Sequence, residues 1–421
     1  MNDIKKKCNE KILQIDNWLY YNGIEGWDPY DVWDGKLGSW MLGRKSFSAK
    51  LLGFIVTKLE LMYPLIIRKV FFLKQKINPK GIGLFANSYK LLENLGDNFD
   101  LSLKNTSMPF YLWLNENAIN EFGGMGWGYP FNWNTKAYIP KLTPTVVNTV
   151  IIGDAFWLEY KTNNDDSALN ICKNICKFIE TGLNKTKDNS GNICFSYTPL
   201  DQMQVHNANL MAADFLIRIG TEIENIRWIE LAKSAVNFSI SQIKNDGTLN
   251  YWSDTQSGSY LQQDTYHSGF EIRSLISINK ILRNDEIKLV IEKYFDTWLK
   301  DFFSANWQPA FQRSDFSIIE VHSCAEAILC LIKAFEINLI DLAKLKEITN
   351  AILDCAIDKL WVTDNNKSGY FAWEAYKKSK KWIKVDIPLI RWGQGWMLYA
   401  LVELINILEH TERYMFNRSN K

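Results

Sequence analysis

"HNANLMAADFLIRIG" (206–220) decides the fold, because the chain returns to the same kind of helix again and again. Its relatives within the chain are "TPTVVNTVIIGDAFWLEY" (143–160), "HSGFEIRSLISINKIL" (267–282), "HSCAEAILCLIKAF" (322–335) and "RWGQGWMLYALVELINIL" (391–408). With a further helix at Pro79, they begin near Pro79, Thr143, His206, His267, His322 and Leu389, at intervals of 64, 63, 61, 55 and 67 residues. Each interval is two helices and two loops, the signature of a repeat architecture. Apolar residues round most of the circumference place these helices inside, buried on more than one side. One-sided helices alternate with them at 165–183, 226–242, 286–303 and 341–361, with a weaker one at 111–121. A hairpin of this kind leaves apolar surface exposed until a ring of neighbours closes over it. The spacing therefore predicts an all-α (α/α)6 toroid, one domain over 1–421, with N-terminal helices in 1–77 closing the ring.

The outer-to-inner connectors are long, open with Gly in several cases, and run on with aromatics at strand-like spacing, so short β-hairpins are expected there. The return connectors, such as "LRND" (282–285), are short. Long loops then gather at one rim, and the cleft is expected at that rim.

Composition narrows the function. The 421 residues include 48 basic and 47 acidic side chains, a net charge of +1, which offers no field to attract nucleic acid. Seven scattered cysteines form no C-x-x-C pair and fall in apolar helical patterns, so reduced thiols and a cytoplasmic setting are expected. The stretch 51–73 is apolar but carries Lys58, Glu60, Pro64, Arg68 and Lys69; it reads as a bent outer helix rather than a span, with a peripheral membrane contact through 44–76 as its alternative role. Phosphate-binding glycine loops and serine-hydrolase elbows are missing, and no cofactor or metal is expected. Aromatics make up 14% of the chain, and many stand in Gly- or Asp-rich connectors, where a ring must bury or bind something. Flat sugar faces stack on such rings, so an oligo- or polysaccharide is the expected partner.

Three of the four histidines, His206, His267 and His322, open inner helices, and Arg391 holds the matching place in a fourth. They are expected to converge on the lumen, with Asp28, Asp264 or Glu326 as acid/base group. Glycosidic hydrolysis needs two carboxyl groups flanking the bond. The other option is Tyr129, Tyr197 or Tyr266 with a histidine, which would move the C5 proton of a uronate as lyases and epimerases do. The expected catalytic set is His206, His267, His322, Asp264, Glu326 and Tyr129. The expected substrate-binding set is Asp28, Asp31, Trp127, Trp133, Tyr197, Tyr266, Arg391 and Gln394, with no metal ligand.

"GWDPYD" (26–31), "NPKGIGLF" (78–85), "GWGYPFNW" (126–133), "CFSYTP" (194–199), "VHNANLMAA" (205–213), "VHSCAEAI" (321–328) and "IRWGQGWMLYAL" (390–401) together resemble a bacterial family of six-hairpin toroids. The likeness runs over nearly the whole chain. It implies kinship with the six-hairpin glycosidase superfamily and an origin in capsule or O-antigen gene clusters. Some relatives carry the label δ-aminolevulinic acid dehydratase; that enzyme is a β/α barrel with a Schiff-base lysine, and no strand–helix alternation exists here. Asn132 stands where the resemblance leads one to expect Asp. Because the superfamily spans hydrolases, lyases and epimerases, the resemblance speaks for fold more than reaction. Glycosidic cleavage is the leading expectation, a uronate lyase or C5-epimerase the second, and a non-catalytic glycan-binding or assembly protein the third.

Overall fold

The computed structural model describes residues 2–35, 38, 47–96, 103–134, 136–256, 263–365 and 367–419. Among them run α1 (Asn2–Asn22), α2 (Asp31–Asp34), α3 (Phe47–Met62), α4 (Pro64–Val70), α5 (Pro79–Leu95), α6 (Met108–Glu116), α7 (Val146–Asn163), α8 (Asp166–Lys177), α9 (His206–Glu222), α10 (Ile226–Ile240), α11 (Thr265–Leu282), α12 (Asp285–Asp301), α13 (Val321–Glu336), α14 (Leu342–Leu360) and α15 (Gly395–Ser419). A π-helical turn, Ile390–Gln394, leads into α15.

The inner helices pack each on the next, α5 on α7, α7 on α9, α9 on α11, α11 on α13 and α13 on α15. The ring then closes, α15 lying against α5. The one-sided helices sit outside: α6 on α5, α8 on α7, α10 on α9, α12 on α11, α14 on α13 and α1 on α15. This is an (α/α)6 toroid. Its apolar core runs unbroken from Ile4 to Leu408, which is why the inner helices are apolar on several sides. Four inner helices start on a side chain that accepts a backbone N–H: Asn78, Thr145, Asp264 and Glu320. On the outer ring Asp165 does the same for α8.

Among the described residues strands occur only in outer-to-inner connectors: β1 (Trp133–Asn134) with β2 (Tyr138–Ile139), β3 (Lys185–Lys187) with β4 (Ile193–Phe195), β5 (Ile318–Glu320), and β6 (Trp361–Asp364), β7 (Ser368–Phe371), β8 (Glu374–Lys378) and β9 (Lys381–Val385). All pairings are antiparallel; β5 joins β8 and β9 in one sheet. These connectors lie at the N-terminal ends of the inner helices, the rim where the cleft opens.

The hairpin α3–α4 turns at Tyr63–Pro64, where proline forbids continuation of the helix. It is tied down by a small cluster of Val32, Val56 and Ile67. The buried guanidinium of Arg68 bonds Glu60 Oε1 at 3.0 Å. No described helix is long and apolar enough to cross a membrane. Residues 44–46 of the stretch expected to touch a membrane lie outside the described residues. All seven cysteines are free, and all but Cys355 are buried.

Candidate functional site

At each inner helix start the second residue turns inward. The second residues of the six inner starts are Lys80, Val147, Asn207, Tyr266, His322 and Arg391. All six line a single cavity of about 370 Å³ at the long-loop rim. The ring is the floor of the site, and the helix dipoles beneath it add positive potential. The walls come from the connectors: Tyr30, Tyr129, Phe131, Trp133, Tyr197, Tyr251, Trp252 and Trp392, with His267 one residue further along α11.

Two aromatic arrays shape the cleft. Along one side the rings of Trp396, His322, Tyr266, His267, Tyr251 and Trp252 follow one another with centroids 4.9, 4.5, 4.2, 4.5 and 5.0 Å apart. On the other, strand alternation in "GWGYPFNW" aims Tyr129, Phe131 and Trp133 at the cleft. Tyr129 stacks on Phe131 at 5.0 Å, and Trp133 packs on Tyr197 at 5.1 Å. Gly128 makes this turn feasible, since a Cβ there would come within 2.4 Å of the Leu142 and Thr143 backbone.

The polar groups are held in place from behind. Asp264 caps α11 through the His267 N–H (2.8 Å), and its second oxygen lies 2.6 Å from His267 Nδ1. Nδ1 therefore carries the proton, and Nε2 is left without a partner among the described residues. His322 is buried between Tyr266 and Trp396, and neither of its ring nitrogens has a hydrogen-bond partner among the described residues. Burial, with Lys80 and His267 nearby, pushes its imidazole well below the usual range, so it is neutral. Arg391 is gripped by Asp28, Nε to Oδ2 at 2.6 Å and Nη2 to Oδ1 at 2.7 Å, with Asn78 steadying the carboxylate at 3.3 Å. Burial raises the Tyr129, Tyr197 and Tyr266 hydroxyls above the ordinary phenol range, so they serve as donors rather than phenolate bases.

Of the residues expected from the sequence, His267, His322, Tyr129, Trp133, Tyr197, Tyr266 and Arg391 share this cleft. Others do not reach it. His206 is the first residue of its helix, not the second, so it turns outward, its Nδ1 3.1 Å from Ser239 Oγ on α10; burial lowers it to about 4. Trp127 is fully buried, and its indole donates to Leu114 O at 2.9 Å, which makes it core rather than a stacking wall. Gln394 is spent on the Phe371 backbone, bonding both its N–H and its carbonyl. Glu326, one turn below His322, is locked to Arg273 at 2.6 and 2.9 Å and does not line the cleft. Asp28, Asp31 and Asp264 sit behind the wall: Asp28 on Arg391, Asp31 on the Asp28 N–H at 2.6 Å, and Asp264 on His267. Burial, then Asp28, pushes Asp31 up to about 7. Asn132 is a tether as well, donating to Asp34 at 3.0 Å and accepting from the Lys141 N–H at 3.0 Å.

The remaining acids near this rim are also committed elsewhere. Asp201 closes its own turn on the Tyr197, Thr198 and Met203 N–H groups, and Glu320 caps α13 while accepting from Trp392 Nε1 at 2.5 Å. Asp386 accepts from Tyr370, and Glu374 is buried in its sheet. Among the described residues no carboxylate lines the cleft.

Sequence reasoning missed Lys80, Asn207 and Tyr30, and left Phe131, Val147, Tyr251, Trp252 and Trp392 out of the expected site. The signal for Lys80 was available: Asn78 as cap and Pro79 as first helical residue make Lys80 the second. A second cavity of about 340 Å³ opens at the short-loop end of the axis, and Phe270 lines both. Its arginines are already paired, Arg218 with Asp154 and Asp214, and Arg273 with Glu326.

No protein-family model matches the chain, and no curated protein matches it in sequence. Solved structures do. A GH76 α-mannanase from Bacteroides thetaiotaomicron is 13% identical, with a TM-score of 0.58 over 80% of this chain and 88% of that one. An unsaturated glucuronyl hydrolase specific for heparin is 14% identical, with a TM-score of 0.57 over 97% and 99%. Cellobiose 2-epimerase from Bacillus thermoamylovorans is 13% identical, with a TM-score of 0.54 over 77% and 86%. At this identity the likeness establishes architecture: the chain has the (α/α)6 toroid fold of the six-hairpin glycosidase-like enzymes.

Proposed function

We propose that the chain is a carbohydrate-active enzyme that moves a proton on a carbon of a bound sugar, as an epimerase, isomerase or lyase does. One observation carries this reading: the cleft presents two histidines and several tyrosines, and no described carboxylate. Hydrolysis, the leading expectation from sequence, would need a protonated and an ionised carboxyl roughly 5–9.5 Å apart across the scissile bond. Proton transfer next to a carbonyl or carboxylate asks instead for a neutral base and for donors to the developing oxyanion. His267, with Nδ1 on Asp264 and Nε2 free, is built as that base. His322, neutral and unpartnered, stands across Tyr266 from it as a second acid/base group. Tyr266, Tyr197 and Tyr129 supply hydroxyl donors, and the ring arrays hold the sugar face. Among solved structures of this fold, a cellobiose 2-epimerase and a D-mannose isomerase carry out such chemistry by name.

Incubation with aldoses, uronates and a bacterial surface polysaccharide in D₂O, followed by NMR, tests the proposal. Deuterium at a sugar carbon, from an epimerase or isomerase, or an absorbing unsaturated product without it, from a lyase, is the expected result. New reducing ends with neither deuterium nor an unsaturated product would establish hydrolysis. Binding without conversion of any sugar would establish the non-catalytic alternative.

For the α3–α4 hairpin we propose a peripheral contact with an anionic membrane. Phe54, Ile55, Met62, Ile66, Val70 and Phe72 are exposed on it, a density of bare apolar surface found nowhere else among the described residues. Residues 44–76 hold eight Lys and Arg against a single acid, Glu60, which Arg68 already neutralises.

A further inference from the structure

The floor of the cleft holds a buried amine with no carboxylate paired to it among the described residues. Lys80 is only 3% exposed. Its ammonium lies 5.3 Å from the centroid of the Trp396 ring and has no hydrogen-bond acceptor among the described residues. Beside it, Arg391 uses Nε and Nη2 on Asp28, which leaves the Nη1 edge without an acceptor among those residues. The two nearest carboxylates are already taken, Asp28 by Arg391 and Glu326 by Arg273. Two pairs are thus closed, and the Lys80 amine is left without a carboxylate of its own. Burying an ammonium without a counter-charge is costly, and burial together with Arg391 holds the Lys80 amine well below its usual range. Inner-helix N-termini converge on the same floor and add to the positive potential. Around Lys80 stand more groups with unused polar atoms: both ring nitrogens of His322, and the side-chain oxygen of Asn207.

We propose that Lys80 Nζ and Arg391 Nη1 form a seat for an anionic group on the bound saccharide, a sugar carboxylate or phosphate. The substrate is then an acidic sugar, oriented with its charged substituent on the floor and its ring between the two aromatic arrays. His322 completes the seat as a neutral N–H donor. The proposal rests on the reading of the cleft as a saccharide site, and it holds whether or not a proton is moved there. Arg391 fits the role because its fork is fixed from behind by Asp28, so its free edge costs little entropy to use.

Calorimetric titration of the full chain with glucuronate, glucose 6-phosphate, glucose and inorganic phosphate tests the seat. One charge-assisted contact predicts that at least one acidic sugar binds about 10-fold or more tightly than glucose in low salt. Preference for glucuronate or for the sugar phosphate identifies which anion the seat takes. In Lys80→Met, which keeps the volume and drops the charge, the ratio of acidic-sugar to glucose affinity falls to about one; Lys80→Arg restores it. Should Lys80→Met not fold, the acidic sugar's advantage in the native protein must still fall with added salt while glucose is unaffected. Equal binding of glucose and both acidic sugars, or an advantage that survives in Lys80→Met, overturns the seat and leaves the saccharide reading standing. Failure of every sugar to bind, with inorganic phosphate still bound through Lys80, overturns the saccharide reading and leaves an anion site.

Discussion

Asp264 does two jobs that a single substitution separates. One oxygen caps α11 on the His267 N–H at 2.8 Å, and the other receives the His267 Nδ1 proton at 2.6 Å. In Asp264→Asn the amide oxygen keeps the cap, because Asn and Asp are equivalent there. The amide nitrogen then faces Nδ1 as a donor. It forces the ring proton onto Nε2, the nitrogen that faces the cleft, and the base becomes an N–H. General acid–base contributions of this kind are worth about 10²–10⁴-fold, so solvent-deuterium incorporation into the sugar falls by that factor. Stability falls far less: a charge-assisted bond becomes a neutral one and the helix loses a favourable charge, together about 1–2 kcal/mol. Asp264→Ala loses the cap as well, about 1 kcal/mol more. The assay pairs NMR exchange rates in D₂O with urea denaturation on the same preparations. If Asp264→Asn exchanges at the native rate, or if exchange across the two variants merely tracks the folded fraction, Asp264 is a cap and His267 is not the base.

Three other perturbations follow from the packing. Glu271 is buried and paired with the Tyr294 hydroxyl, and burial pushes its carboxyl up to about 8; since the folded state holds the proton more tightly, stability is fullest below the ordinary carboxyl range and is lost as pH rises through about 8. At about 1.36 kcal/mol per pH unit this is a few kcal/mol, and Glu271→Gln should flatten the melting-temperature profile between mildly acidic and alkaline buffer. Trp127→Ala, which empties a fully buried site and orphans Leu114 O, is expected to cost about 3–5 kcal/mol in urea denaturation. Phe54→Asp with Ile66→Asp should abolish co-sedimentation with phosphatidylserine vesicles and leave sugar binding unchanged, because both side chains are exposed on the hairpin and outside the cleft.

The fold was legible because its cause is local. Apolarity all round, caps such as Asn78 and Asp264, and spacing near sixty residues each act over a few turns or one hairpin, and closure of the ring follows from burial. The candidate site was half legible, and the failures share one cause. Aligning the inner helices on their histidines treats His206, His267 and His322 as one position, yet they are the first, third and second residues of their helices. With 3.6 residues per turn, each step swings a side chain about 100°. That rotation is enough to send His206 to Ser239 and to bring Asn207 into the cleft. Aligned on their caps instead, the same sequences give Lys80, Val147, Asn207, Tyr266, His322 and Arg391. Depth was the other hidden variable: Trp127 and Trp133 stand six residues apart in one aromatic run, but only the packing of Trp127 against Phe156 and its bond to Leu114 show which of them is core. The assignment of carboxylates failed for a related reason. Acids at this rim are numerous, and in sequence an acid that caps a helix or grips an arginine looks the same as one that faces a substrate. Spending them behind the wall leaves the cleft with histidines, hydroxyls and a buried amine without a carboxylate partner among the described residues, and that distribution favours an anionic sugar and proton transfer over cleavage by paired acids.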